Sequence, residues 1–223
     1  MEVVKKHVLE VFSLASATYD RGRRKWYTAI FSLAKQLESP VLDLGCGTGE
    51  ISVRIASTGK EILALDVAHG MVKAAWRRAK RRNTDRYVNV VQSWAPFIPV
   101  RSEAFRGILA AASLHNIPSP KHRVETLKEI QRCLKPKGLA LITVWYRYTP
   151  RNFLNVLKCF FRCKKWGDCF LKWGDKGSRF YHFYSVNELK KDAKNAGLKN
   201  FKVKLWSPNK KIFKNNIILI IKK

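Results

Sequence analysis

Acidic residues are scarce in this chain. Its 223 residues carry 16 Asp and Glu against 44 Lys and Arg, a formal net charge of +28. An enzyme of a small neutral metabolite has no use for that excess, which repels itself in the compact state. A polyanion partner relieves it through neutralisation and counterion release. Long apolar runs are missing as well. Nothing approaches the ~20 residues that span a bilayer, and the start, MEVVKKHVLE, has no continuous apolar segment of the secretory kind. A cytoplasmic protein without membrane contact is the expectation. Cysteine is sparse and odd in number, five in all with no C-x-x-C pair. That argues against a disulfide framework and against a structural zinc site, so free thiols and no bound metal are expected. Internal repeats and low-complexity linkers are absent too, which predicts one domain over residues 1–223, with a helical cap at 1–38 and an insertion at 147–184.

What is present alternates. A basic amphipathic pattern runs from Tyr19 to Leu37, with Trp26, Ile30, Leu33 and Leu37 at helical spacing. Short apolar runs follow at 41–44, 61–66, 87–91, 107–112 and 139–145, separated by helical stretches at 50–57, 69–82 and from Ser119-Pro120 onward. Continuous rather than alternating apolar strands indicate a parallel sheet covered on both faces. Ser185 and Glu188 form a capping-box pattern before one more helix, and two further strands are predicted near 201–206 and 216–222. The sum is an α/β, Rossmann-like, seven-stranded and mostly parallel sheet with helices on both faces.

The first strand runs into a glycine loop, VLDLGCGTGE. In such sheets ligands sit beyond the carboxyl ends of the strands, and glycines let the backbone approach them closely. A dinucleotide fingerprint would place glycine at position 50, where Glu50 stands; the pattern present has Asp43 ahead of Gly45, Gly47 and Gly49. An acid there suits a cation better than a pyrophosphate. Asp66 closes the second strand, where an acid accepts from ribose hydroxyls. Adenosine, a ribose diol and an ammonium without phosphate describe S-adenosylmethionine. VLDLGCGTG together with LALD resembles the core of class I S-adenosylmethionine-dependent methyltransferases, over residues 38–146. The resemblance implies that Gly45, Gly47 and Gly49 shape the loop around the methionine part, that Asp43 holds its ammonium through water, and that Asp66 takes the ribose. Where this family often has an acid toward adenine the chain has Ser93, leaving Ser93 and the Trp94 backbone for the adenine edge. Phe105-Arg106 replaces the usual Phe-Asp.

Residues 110–145 resemble the tRNA wobble-uridine methyltransferases that esterify a carboxymethyl group, with His115-Asn116 in place of a His-His pair, then Arg123 and Trp145. Residues 174–198 are similar to the R-Y-Y-H segment of that family through Arg179, Tyr181 and His182, and YDRGRRKWYTAI (19–30) is loosely similar to its arginine-and-tryptophan element. This resemblance implies methyl esterification of a carboxymethyl-type uridine in tRNA. A carboxylate with a pKa of about 4 is already a nucleophile at neutral pH, and the chain shows no Ser-His-Asp or Cys-His arrangement. Arginine suits the task of orienting a carboxylate, and Arg147 and Arg179 are the candidates. His115 either orients the acceptor or supports a residue that does; His182 reads more as a packed core imidazole.

The helical run AWRRAKRRN presents Arg77, Arg78 and Arg81, and the insertion interleaves Lys164, Lys165, Trp166 and Trp173 with further rings. Cations for phosphates with planar rings for bases favour single-stranded RNA over an anionic membrane surface. The third strand, at a sheet edge in this fold, carries Val88, Val90 and Val91 without protecting charges; resemblance to the family implies a small zinc-binding activator subunit there. Two other readings stay open: a methyltransferase of a quinone or lipid precursor, and a non-catalytic RNA-binding subunit.

Overall fold

A computed structural model describes residues 2–163, 165–173, 177–207 and 214–223. The sheet has seven strands in the order β3-β2-β1-β4-β5-β9-β8. In sequence these are β1 (Val41–Leu44), β2 (Ile62–Asp66), β3 (Val88–Gln92), β4 (Phe105–Ala111), β5 (Leu134–Trp145), β8 (Phe201–Trp206) and β9 (Asn216–Lys222). The first five pair in parallel, while β9 pairs antiparallel with β5 and β8. Order therefore reverses between β1 and β4, the switch point where such sheets bind ligands. All four residues of β1 are buried, because helices cover both faces. On one face Leu42, Leu44, Ile108 and Ile142 pack with α5 (Pro120–Cys133) and α7 (Val186–Asn195). On the other, Val41, Leu109 and Leu141 pack with α2 (Arg24–Ala34) and α3 (Glu50–Ala56). The apolar runs of the sequence are continuous because each strand feeds both cores.

The N-terminal cap differs from the expected single helix over 19–37. Helix α1 (Glu2–Ala15) comes first, and α2 begins only at Arg24. Gly22, at φ +72°, and the capture of Asp20 by Tyr27 of α2 and by Thr48 and Arg78 outside the cap hold the intervening turn. Strand β5 starts five residues earlier than its apolar run, as a bulge: Phe105 pairs with Leu134 but Gly107 with Leu139. The insertion at 147–184 folds as α6 (Pro150–Cys163) and a hairpin of β6 (Asp168–Lys172) with β7 (Ser178–His182). Strand β3 lies at the sheet edge as expected, paired only with β2 among the described residues.

The expectation of free thiols throughout is corrected here. Cys159 of α6 and Cys169 of β6 form a disulfide, with Cα atoms 5.2 Å apart. An odd count leaves room for one bridge, and the antiparallel return of the chain after α6 brings these two together. Cys46 and Cys133 remain thiols. Non-reducing peptide mapping of alkylated protein should recover 159 and 169 as one linked pair; alkylation of all five cysteines without reductant would contradict this.

Candidate functional site

The carboxyl ends of β1, β2, β3 and β4 open into a cavity roofed by the cap. Its wall includes Phe12 and Tyr19 from above, Gly45, Gly47 and Asp66 below, and Ser93, Trp94 and Asn116 at the sides. Gly45 and Gly47 have φ of +77° and +56°, a region costly for L side chains. A Cβ on Gly45 would strike the Ser113 side chain, and one on Gly47 would come within 3.4 Å of Tyr19 Cε1. Gly49 is a correction: it does not line the cavity. It caps α3 at φ +75°, and a Cβ there would meet Ala75 Cβ at 2.8 Å in α4 (His69–Arg81). Its task is helix packing beneath the loop.

Asp66 ties the loop to the sheet. Its Oδ2 accepts from Gly47 N at 2.9 Å and its Oδ1 from Ala68 N at 2.9 Å, while the residue faces the cavity. Burial raises its pKa despite those backbone donors. Asp43 lies deeper, outside the cavity lining and 3% exposed, accepting from Ser52 Oγ at 2.6 Å. Burial pushes its pKa up to about 6; Ser52 opposes this and the Asp66 charge adds to it. Two buried carboxylates without a cation make the floor receptive to positive charge. Asn116 adds an acceptor: its Nδ2 donates to Ala112 O at 2.9 Å, while its buried Oδ1 has no partner. Ser93 Oγ donates to Phe97 O at 2.8 Å, and Trp94 stands edge-on to His122, so both are held in the cavity wall.

The cap is latched to this floor through Asp20. Tyr27 Oη and Thr48 Oγ1 donate to its Oδ1, and Arg78 Nη2 to its Oδ2. Arg78 Nη1 also donates to Thr48 O and Oγ1, each at 2.8 Å. Hydrogen bonds from Tyr27, Arg78 and Thr48 hold the Asp20 carboxyl below its usual range against the opposing effect of burial. Arg78 is thereby corrected from the RNA-facing set: it joins the glycine loop to the cap. Arg77 and Arg81 stay exposed. Sequence reasoning passed over Asp20, although Tyr19-Asp20 opens the basic pattern that drew attention.

Two acceptor-side expectations also move. His115 is 1% exposed and absent from the cavity wall, its ring between Trp145 at 5.3 Å and Tyr181 at 5.8 Å. Burial lowers its pKa to about 3, with His182, Arg179 and Arg23 adding repulsion. The neutral imidazole packs between these rings outside the wall, its buried Nδ1 without a partner among the described residues. Arg147 is 5% exposed and committed, with Nε donating to Phe183 O at 2.9 Å and Nη2 paired to Glu188. Its chain joins His182, whose Nδ1 meets Asp168 at 2.6 Å and Nε2 meets Glu188 at 2.9 Å. Glu188 stays below its usual pKa: burial opposes this, but His182 and Arg147 outweigh it. That buried network fastens the hairpin to α7, so Arg147 cannot clamp a substrate and His182 is a framework residue. Arg123, 3% exposed, donates to Ile117 O at 3.0 Å and fixes the loop beside the cavity.

Arg179 differs from these. Its guanidinium carbon lies 3.3 Å from the Trp173 ring centre and 5.6 Å from that of Phe12, its Nε is buried without a partner, and no carboxylate pairs with it among the described residues. Burial lowers its pKa, and Arg23, stacked 4.0 Å over Tyr19, opposes its charge further. Phe12 and Tyr19 belong to the cavity wall, so two guanidinium groups without a carboxylate partner among the described residues flank the roof. Trp173 is corrected accordingly: it packs on Phe12 and Tyr19 rather than facing solvent. Trp166 is 39% exposed and Lys165 exposed, while Lys164 lies outside the described residues.

A family model described as a methyltransferase domain matches residues 41–138. The tRNA (carboxymethyluridine(34)-5-O)-methyltransferase ALKBH8 of Mus musculus is 28% identical over 149 residues, 65% of this chain and 21% of that protein. A demethylmenaquinone methyltransferase of Staphylococcus saprophyticus is 25% identical over 222 residues, covering 91% of this chain and 92% of its own. The chain spans half or less of the length of the first curated relatives it matches. Among solved structures, a SAM-dependent methyltransferase of Methanosarcina mazei superposes with a TM-score of 0.72 at 21% identity, over 87% of this chain and 96% of that one.

The residues present fit an adenosyl sulfonium. Side-chain-free Gly45 and Gly47 leave room, Asp66 faces the cavity, Asn116 Oδ1 lacks a donor, and buried acids favour a cation over a pyrophosphate. The unfolded chain ionises Asp near 3.9, so between about pH 4 and 6 the folded state retains a proton on Asp43 that the unfolded state has lost. Stability of the ligand-free protein falls across that window, by on the order of 3 kcal/mol from this group once pH passes 6. Urea unfolding at pH 4 and pH 7 should show Asp43→Asn losing less stability than the parent; parallel losses would contradict the assignment. Gly49→Ala should lower the melting temperature, at a cost of roughly 1–3 kcal/mol, and leave S-adenosylmethionine affinity within twofold, whereas Asp66→Asn should weaken that affinity at least tenfold. Residues 41–138 match a methyltransferase domain within the class I methyltransferase fold, and that domain and fold imply S-adenosylmethionine as the cofactor of the cavity.

Proposed function

We propose that this chain methylates tRNA, forming the methyl ester of a carboxymethyl-type wobble uridine. The observation that carries the reading is Arg179, a half-buried guanidinium with an unmet N–H and no carboxylate partner among the described residues, set beside the roof of the cofactor cavity. A carboxylate acceptor supplies the missing counter-charge. Bound S-adenosylmethionine supplies an activated methyl group on a sulfonium. The protein's own part is to position and to keep water out: Gly45 and Gly47 leave space, Asp66 and Asn116 orient the donor, and Phe12, Tyr19 and Trp173 cover it. A carboxylate needs no general base, in keeping with a buried His115 held at a pKa of about 3. Net charge of +28 supports a polyanionic acceptor, with Arg77, Arg81, Lys165 and Trp166 as its exposed contacts. The open edge of β3, at Val90 and Val91, is the proposed seat of a small zinc-binding activator subunit.

A second reading has its own support. The likeness to demethylmenaquinone methyltransferases runs over nearly the whole chain, which favours a quinol acceptor under the same aromatic roof. Incubation with labelled S-adenosylmethionine separates the two. Carboxymethyl-bearing tRNA should become labelled and tRNA lacking that group should not; labelled demethylmenaquinone with silent tRNA would overturn the tRNA reading. Arg179→Gln should reduce kcat/KM on tRNA by 10- to 100-fold, the ~1.5–3 kcal/mol of a charge-assisted hydrogen bond, with donor affinity unchanged.

A further inference from the structure

Helix α6 turns a second apolar face outward. Phe153, Leu154, Leu157, Phe160 and Phe161 are 38% to 78% exposed. At 100° per residue they fill an arc of about 120°, one continuous stripe. The far side is already satisfied, since Cys159 there is bridged to Cys169, and Val156, next to the edge of the stripe, is fully buried with Cys169 and Phe183. Scattered surface leucines need no explanation, but a contiguous stripe of this size marks a contact. Tyr148, 51% exposed, precedes the helix, and Trp166, 39% exposed, follows it. Arg151 and Lys158 border the stripe on one flank, and no Asp or Glu occurs between Ile130 and Gly167.

We propose that this face rests in the interfacial layer of an anionic lipid bilayer, with α6 lying in the membrane plane. The stripe requires hydrocarbon, and its border requires negative charge. A second copy of the chain offers the first but opposes +28 with +28. A nucleic acid offers the second, yet Leu154 and Leu157 have no planar face on which a base can stack. Anionic lipid supplies both: acyl chains for Phe and Leu, headgroup phosphates for Arg151 and Lys158, and the boundary between them for the Tyr148 ring. No helix among the described residues is long and apolar enough to cross a membrane, so the contact is peripheral. It departs from the expectation of no membrane contact and holds for either acceptor.

Co-sedimentation of the full chain with phosphatidylglycerol–phosphatidylcholine vesicles tests this, with pure phosphatidylcholine vesicles as the uncharged arm. Because so basic a protein has other attractions to anionic vesicles, the deciding comparison is a neutral variant, Leu154→Ser/Phe161→Ser, checked for an unchanged melting temperature. The proposal requires binding to the anionic vesicles, at least tenfold weaker binding to the uncharged ones, and at least a tenfold loss in the variant with tRNA affinity within twofold. Equal vesicle binding by variant and parent overturns it. So does a parallel loss of tRNA affinity, which makes the face an RNA surface, or a parent dimer that the variant converts to monomer, which makes it an interface between copies.

Discussion

The hydrogen bond from Gly47 N to the Asp66 carboxylate is the contact on which the site depends. It joins the turn after β1 to the end of β2 and keeps the loop open at φ values that only glycine adopts cheaply. The bond costs a desolvated charge, because Asp66 and Asp43 both sit in the protein interior with raised pKa values. A fold that keeps two unpaired acids under a cavity holds part of its stability in reserve for a cation. Helices α3 and α4 pack closely enough that Gly49 has no space for a methyl group, so the loop that shapes the cavity also fixes the helix packing beneath it.

Around that floor, the charged residues divide by partner. Arg78, Arg123 and Arg147 bond internal acceptors, though Arg123 keeps a buried Nε unmet, and each fastens one wall: the cap, the loop after β4, the hairpin. Arg23 and Arg179 are stacked on rings instead. A cation over an aromatic face keeps its N–H groups available to a ligand, which is the physical difference between a framework arginine and a binding one.

That difference was not legible in the sequence. The strands, the glycine loop and Asp66 were, because they rest on local patterning and fixed spacing: VLDL and LALD are buried runs, and loop and acid are 19 residues apart between the bonded positions. Arg147 and Arg179 look alike in sequence; only the fold brings Glu188, 41 residues on, to Arg147 and leaves Arg179 without an acid among the described residues. His115 follows a strand end as expected, yet the one-turn 3-10 segment Leu114–Asn116 rotates it behind the wall and puts Asn116 forward. The disulfide escaped a parity argument because one pair among five leaves no trace in the count. Helix α1 escaped because its half-buried Leu9 and Phe12 take their role only from the cavity they line.

The central claim is that the cavity between the glycine loop and the cap receives an adenosyl sulfonium. A structure of the chain with bound S-adenosylmethionine tests it most directly. The account predicts the ribose at Asp66, the methionine part over Gly45 and Gly47, and Asn116 Oδ1 engaged by a donor group. Ligand bound elsewhere, or a cavity still closed by Tyr19 and Phe12 at saturating ligand, would contradict it.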